Sequence, residues 1–394
     1  MTHDLRQCFE QELTGNILPF WVEQTPDPNH GGFYGSLSND LKVNNDVPRS
    51  AVLYGRILWT FSSAYRKYKL PQYLSTAQRA YDYMRQHFWD EKHEGMYWTV
   101  DACGEPVEPR KHTYAQAFSI YGLSEYYLAA GDAEALELSR RIFELLEVNA
   151  HEPQYGGYIE SRGRDWASTA DQRLSALEPD CSKSMNTLLH LLEAYTNLLR
   201  VWEEPRLRAR LNELLEIFLN HIIDPQTNHF HLFFQNDWTW PHPEHFSYGH
   251  DIEGSWLLVE TAELLENASL LERTRTLAVQ MAQAVFSEAL GADGRVLSGS
   301  PENPQAKELA WWTHAEAMVG FYNAYQLSGQ EHFKAASARV WDFINQNFID
   351  HRQGDWFKTL DLEGQPYLLS PKVGPWECPY HHSRACFEMI KRLS

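Results

Sequence analysis

The chain has 394 residues, with 53 acidic against 34 basic side chains and a formal net charge of −19, a balance that excludes nucleic acid and an anionic membrane surface as partners. No apolar run approaches the roughly 18 residues of a membrane span, and Met1-Thr2-His3-Asp4-Leu5-Arg6 lacks the apolar core of a secretory signal. The five cysteines, Cys8, Cys103, Cys181, Cys378 and Cys386, are odd in number and show no CxxC spacing, which points away from a disulfide framework or zinc knuckle and makes a reducing cytoplasm the expected compartment. Helical periodicity then recurs in twelve stretches, near 3–22, 50–68, 72–88, 114–130, 133–148, 184–202, 205–222, 250–266, 269–288, 310–328, 331–348 and 378–393. Residues 185–195 are apolar around most of the helical circumference and read as a buried helix.

Connections alternate in length. Short turns follow the even-numbered stretches, as at Lys69-Leu70-Pro71, Gly131-Asp132 and Glu203-Glu204-Pro205. Long loops follow the odd-numbered ones. Each carries a glycine- or polar-rich turn: Gly31-Gly32-Phe33-Tyr34, Gly95-Met96-Tyr97-Trp98, Gly156-Gly157-Tyr158, Asn228-His229-Phe230-His231, Asp293-Gly294-Arg295-Val296 and Gly354-Asp355-Trp356-Phe357. Short links make antiparallel neighbours. The pattern therefore predicts six helix hairpins with all long loops at one end, closed into an all-α (α/α)6 barrel. No linker or charge block interrupts the repeat, so residues 1–394 are expected to form a single domain.

The even-numbered helices begin directly after the long loops, and their first turns hold an unusual polar set: Arg56; Tyr114, Gln116 and Phe118; Asn186 and His190; His250, Asp251 and Glu253; Trp311, Trp312, His314 and Glu316; Tyr380, His381, His382 and Arg384. If these helices form the inner ring, the six starts converge on one cavity. Taken singly, each residue has an ordinary structural role open to it: a hydrogen-bonded core histidine, a buried salt bridge, an aromatic core. Together they suit proton abstraction beside a carbonyl. Imidazole can take and give a proton near neutral pH, and a cation or donor is needed at an enolate oxygen. The 14 Trp, 20 Tyr and 19 Phe add aromatic faces fit for sugar rings, with Trp98, Trp166, Trp238, Trp240 and Trp376 in loops. His190-x-x-Glu193 and His250-x-x-Glu253 have a spacing used by metals in bundles, but further bridging carboxylates are not evident, so no metal is expected. A glycosidase would need a carboxylate pair such as Glu253 and Glu316, and would leave the histidines without a role.

The segments 56–62, 184–190, Tyr248-Gly249-His250-Asp251-Ile252-Glu253 and Trp376-Glu377-Cys378-Pro379-Tyr380-His381 resemble the cellobiose branch of the N-acylglucosamine 2-epimerase superfamily of (α/α)6 barrels, from about residue 10 to the C-terminus. The resemblance implies a 2-epimerase that needs no cofactor. Such an enzyme interconverts glucose and mannose at the reducing end of cellobiose or a related β-1,4 disaccharide, through a cis-enediolate. By the same resemblance, His250 and His381 are the acid/base pair at C2, and His190 assists ring opening or steadies the intermediate. Arg56 and Asn186 hold the oxygens at C1 to C3. Tyr114, Phe118 and Glu253 shape the reducing-end site, Glu316 orients a histidine, and Trp312 and Trp376 stack on sugar.

The chain departs from the family pattern at Leu188, His314 and His382. All three were expected near the pocket, which leaves free mannose and glucose open as substrates. A mannose–fructose isomerase and a non-catalytic sugar-binding or interaction protein are the remaining alternatives. The expected partner is a mono- or disaccharide, and the expected state a monomer or weak homodimer.

Overall fold

The structure is a computed structural model that describes residues 2–176, 178–240 and 245–394. Met1 of the N-terminal segment and residues 241–244 of one long loop lie outside the described residues. In chain order the helices are α1 (2–23), α2 (Ala51–Tyr68), α3 (71–88), α4 (Thr113–Ala130), α5 (Ala133–Asn149), α6 (Met185–Leu199), α7 (205–222), α8 (Tyr248–Leu265), α9 (Ala268–Glu288), α10 (Trp311–Ser328), α11 (331–348) and α12 (Tyr380–Arg392). These are the twelve expected stretches, with ends displaced by at most three residues. The largest displacement is at the end of α6. It stops at Leu199, and Pro205, which has no amide hydrogen, opens α7 at its first turn, with the Glu204 side chain capping the Arg206 amide.

Even-numbered helices pack in order, α2 on α4, α4 on α6, α6 on α8, α8 on α10 and α10 on α12, and α12 returns to α2. The inner ring is thus closed. Each odd-numbered helix packs outside it on an inner neighbour, which makes the molecule an (α/α)6 barrel. Two glycines set the tightest contact in the ring. A Cβ at Gly55 of α2 would lie 2.5 Å from the Phe118 carbonyl oxygen, and one at Gly122 of α4 would lie 2.6 Å from the Gly55 carbonyl oxygen. The two backbones touch, and this brings Arg56 against Tyr114 and Phe118.

The inner helices start where the sequence provides caps. Ser50 Oγ accepts from the Leu53 amide, His112 Nδ1 from the Tyr114 amide and Ser184 Oγ from the Thr187 amide. Just before four of these helices, two residues form an antiparallel ladder with a later loop. Arg49–Ser50 (β1) pairs with Thr99–Val100 (β2), which also pairs with Pro106–Glu108 (β3). Lys111–His112 (β4) pairs with Ser161–Arg162 (β5), Lys183–Ser184 (β6) with Phe233–Phe234 (β7), and Leu309–Ala310 (β8) with Thr359–Leu360 (β9). The ladders tie neighbouring loops together in pairs, and the loops form a collar at one end of the barrel.

The recurring turn has an internal logic. An acid opens it, and its carboxylate accepts from the next backbone amides, as Asp27, Asp90, Glu152 and Asp350 do. A buried cation then pairs with that acid: Arg49 with Asp27 at 2.5 Å, Lys111 with Asp90 at 3.2 Å, and Lys372 with Asp350 at 2.6 Å. The fourth residue of the next inner helix fastens the aromatic part. Tyr54 exchanges hydrogen bonds with both backbone groups of Phe33, Gln116 does the same with Met96, Asp251 accepts from the Phe230 amide and His314 Nε2 accepts from the Val296 amide.

This arrangement corrects the expected placement of the three sequence departures. His314 and Leu188 occupy that fourth position, where side chains serve the turn, and Leu188 is fully buried. His382 Nε2 bonds Asp355 Oδ1 at 2.6 Å, and Asp355 in turn pairs with Lys358. None of the three lines the cavity described below. Among the described residues no helix is long and apolar enough to cross a membrane.

Candidate active site

The collar encloses a cavity of about 340 Å³ at the starting ends of the inner helices, inside the roughly 300–1,000 Å³ range of small-ligand pockets. Nine of the eleven residues expected in the site line it: Arg56, Tyr114, Asn186, His190, His250, Glu253, Trp312, Trp376 and His381. The other two stand behind that wall. Phe118 packs on His190, with 4.8 Å between ring centroids, and under the Arg56 guanidinium at 4.2 Å. Glu316 lies behind His381 and is fully buried.

The three histidines are each held by one ring nitrogen. His190 Nδ1 lies 3.0 Å from Glu193 Oε2, His250 Nδ1 lies 2.6 Å from Ser247 Oγ, and His381 Nδ1 lies 2.8 Å from Glu316 Oε1. In each case Nε2 has no hydrogen-bond partner among the described residues. His250 and His381 both pack on the Trp312 ring, with centroids 4.7 and 5.6 Å from it. Their centres are therefore separated by no more than those two distances together, and both face one cavity. Burial disfavours the imidazolium. It takes His250 down to about 3 and His190 to about 4, the latter against the pull of Glu193, and holds His381 well below its ordinary value, with Arg56 and Arg384 adding to the effect. All three rings are neutral at neutral pH.

Beneath the histidines is a charge cluster. Arg384 of α12 bonds Glu253 Oε1 at 2.5 Å and Glu316 Oε1 at 2.7 Å through one guanidinium nitrogen. Through the other it bonds Glu193 and the Tyr380 hydroxyl. Glu316 Oε2 also accepts from Trp256 Nε1 at 3.0 Å. Three carboxyls thus share one guanidinium, and the cluster must retain a proton. Burial, then repulsion from Glu316, pushes the Glu253 carboxyl up to about 8. Burial raises Glu316 as well. Glu193 is held at about 2, since Arg384, His190 and Tyr380 outweigh its burial. Ligand atoms of Glu253, Glu316 and His381 lie within 4.8 Å of one another, as in a metal site, but the Arg384 guanidinium already supplies the cation that bridges the two carboxyls.

On the other side of the cavity, Arg56 Nη2 donates to the Tyr114 hydroxyl at 3.0 Å. Glu253 Oε2 and Asn186 Oδ1 are buried and have no hydrogen-bond partner. Unmade bonds at buried polar atoms cost about 1–3 kcal/mol each, so these two atoms mark where a polar ligand belongs. Trp376 stands at the rim, edge-to-face on Tyr114 at 5.7 Å and 6.0 Å from Trp98. Helix N-termini carry partial positive charge, which favours negative charge developing in the cavity.

Reading the sequence as inner-helix starts found the histidines but missed two groups. Arg384 was seen without a role, although a buried arginine four residues after Tyr380 on a polar-lined helix start is a signal for a shared ion cluster. The loop residues Leu174, Ser175, Glu178, Ser298, Glu308 and Glu377 also line the cavity, and no periodicity marks them.

The profile of the family described as N-acylglucosamine 2-epimerase (GlcNAc 2-epimerase) matches residues 32–385. The cellobiose 2-epimerase of Bacteroides fragilis is 39% identical over 392 residues, covering 99% of this chain and 100% of that protein. The structure of cellobiose 2-epimerase from Bacillus thermoamylovorans superposes with a TM-score of 0.94 at 36% identity, covering 99% and 100% of the two chains. A D-mannose isomerase structure shares the fold, with a TM-score of 0.83 at 22% identity over 98% and 97%.

Proposed function

The chain belongs to the N-acylglucosamine 2-epimerase family and is a carbohydrate epimerase, and from that premise we propose that it inverts C2 of the reducing-end sugar of cellobiose or a related β-1,4 disaccharide, through a cis-enediolate. The observation that carries this reading is the pair of neutral imidazoles, His250 and His381, both packed on the Trp312 ring and both lining one cavity, with free Nε2 atoms. The cellobiose epimerases that match over the full chain supply the substrate class.

In the proposed reaction the sugar opens with help from His190. Arg56 and Asn186 hold O1 to O3, and Arg56 stabilises the enediolate oxygen. One histidine Nε2 takes the C2 proton and becomes imidazolium. The other delivers a proton from its own Nε2 to the opposite face of C2. When His381 is the donor, it is left with Nε2 free, and its Nδ1 draws a proton from the Glu253/Glu316 carboxyls beside it, at 3.7 and 2.8 Å. The proton retained by the cluster thus returns His381 to a neutral imidazole. The roles exchange in the reverse direction. Trp312 and Trp376 offer faces to the sugar rings, Tyr114 borders the reducing end, and Phe118 and Glu316 act through the residues they support.

The reading is tested by following product formation from cellobiose, mannobiose, mannose and N-acetylglucosamine. Epimeric disaccharide as the first product supports it. A ketose as the dominant early product would instead support an isomerase, and turnover of mannose alone would confine the enzyme to free hexoses.

A further inference from the structure

The charges lining the cavity are unbalanced. Arg56 is the only cation among the described lining residues, and the three imidazoles are neutral, while four carboxyls share the wall: Glu178, Glu253, Glu308 and Glu377. Glu253 belongs to the Arg384 cluster. The other three come from three different long loops, 150–184, 289–310 and 349–379, and none makes an ion pair among the described residues. They stand on the loop collar, above the helix starts that hold the histidines. A sugar seated with its reducing end among His190, His250 and His381 places its second ring in that collar. Acidic side chains around a mouth can be no more than a solvated rim. Here, however, all three line the same concave cavity as the histidines and are partly buried. Burial raises all three carboxyls, Glu178 to about 7, so water does not screen them fully, and the partnerless, fully buried Glu253 Oε2 beneath them marks the same cavity as a ligand site.

We propose that Glu178, Glu308 and Glu377 form a charge filter that selects sugars whose outer ring is neutral or carries an ammonium group, and rejects those carrying a carboxylate, sulfate or phosphate. The filter rests on the epimerase reading for the orientation of the sugar, and adds a substrate class to it. A neutral ring receives three hydrogen-bond acceptors. An ammonium gains Coulombic attraction from whichever of the three are ionised, most fully above pH 7, where Glu178 has lost its proton, and a carboxylate meets repulsion from the same groups.

The test uses the full chain and three matched β-1,4 disaccharides of glucose, in which the outer ring is glucose, glucosamine or glucuronic acid. Two quantities are measured, kcat/KM from deuterium uptake at C2 and Kd by calorimetry. The glucuronyl compound is expected to be at least tenfold poorer than the glucosyl compound in both, and the glucosaminyl compound to bind several-fold more tightly. The spread should narrow as salt rises from about 0.02 M to about 0.5 M, where the screening length falls below about 5 Å. In the triple variant E178Q/E308Q/E377Q the acid-to-neutral ratio should rise toward one, while each single variant moves it part of the way. Equal constants for the acidic and neutral sugars, or a ratio that the triple variant leaves unmoved, would overturn the filter. Absence of deuterium uptake from all three sugars would defeat the epimerase reading instead, and the order of the Kd values would still decide the filter.

Discussion

Glu253 is the residue on which the chemistry of the floor turns. Its carboxyl keeps a proton to about pH 8 in the folded chain, whereas in the unfolded chain it ionises near pH 4.3. Between those values the fold binds the extra proton, so rising pH removes stability across that window. Glu253→Gln is uncharged throughout. It should therefore gain stability relative to the parent as pH climbs from 5 to 8, which thermal melts at the two pH values would show. The same change removes a proton donor from the cluster. Its kcat should fall, and a decline of kcat/KM above pH 8, expected of the parent, should be absent from its pH profile. Arg384 is the counterpart. Replacement by Met leaves three buried carboxyls without a cation, a loss of the kind that costs about 3–5 kcal/mol. Denaturant unfolding of Arg384→Met should show an unfolding free energy lower by that amount and a lower midpoint, and an unchanged midpoint would refute the described cluster.

At the scale of single elements, the glycine contact between α2 and α4 is the sharpest constraint. Gly55→Ala places a methyl group 2.5 Å from a carbonyl oxygen. It should destabilise by about 1–3 kcal/mol, and should also raise KM, because Arg56 sits on the displaced turn. Gly15 of α1 has nothing within 4 Å of an added Cβ, so Gly15→Ala should be neutral or stabilising by up to about 1 kcal/mol. Calorimetric melts of the two variants make a matched comparison. Elements were also the most legible part of the sequence, since the 3.6-residue apolar period marks a long helix whatever surrounds it. What the sequence concealed was direction. Asp251, His314 and His382 sit in the same first turns as His250, Trp312 and His381, yet they point outward to hold turns and loops. Composition at a helix start does not reveal which side of the ring a residue faces. Residues one or two positions apart on a helix point in different directions, and for that reason two of the three expected pocket substitutions, His314 and His382, proved to be ties to the collar, while Leu188 proved to be core.

At the scale of the whole molecule, the barrel brings together groups that are remote in sequence. Arg56, His190, His250 and His381 come from the second, sixth, eighth and twelfth helices, and they meet because the ring closes α12 onto α2. The alternation of short turns and long loops carried this closure, which is why the cavity and eight lining residues on the inner helices could be anticipated, while the family resemblance placed Trp376. The loop contributions could not, because Glu178, Glu308 and Glu377 stand on long irregular loops, where no period marks which side chain faces the cavity. The most direct test of the central claim is the fate of the C2 hydrogen when a cellobiose-type substrate turns over in deuterium oxide, followed by proton NMR for the parent, His250→Asn and His381→Asn. Two opposed imidazoles predict solvent deuterium at C2 of the parent's product. They also predict interconversion slowed by about 10²–10⁴-fold in each variant, with each still washing out the C2 hydrogen of one epimer. Retention of the original hydrogen in the product, or unimpaired interconversion by His381→Asn, would contradict it.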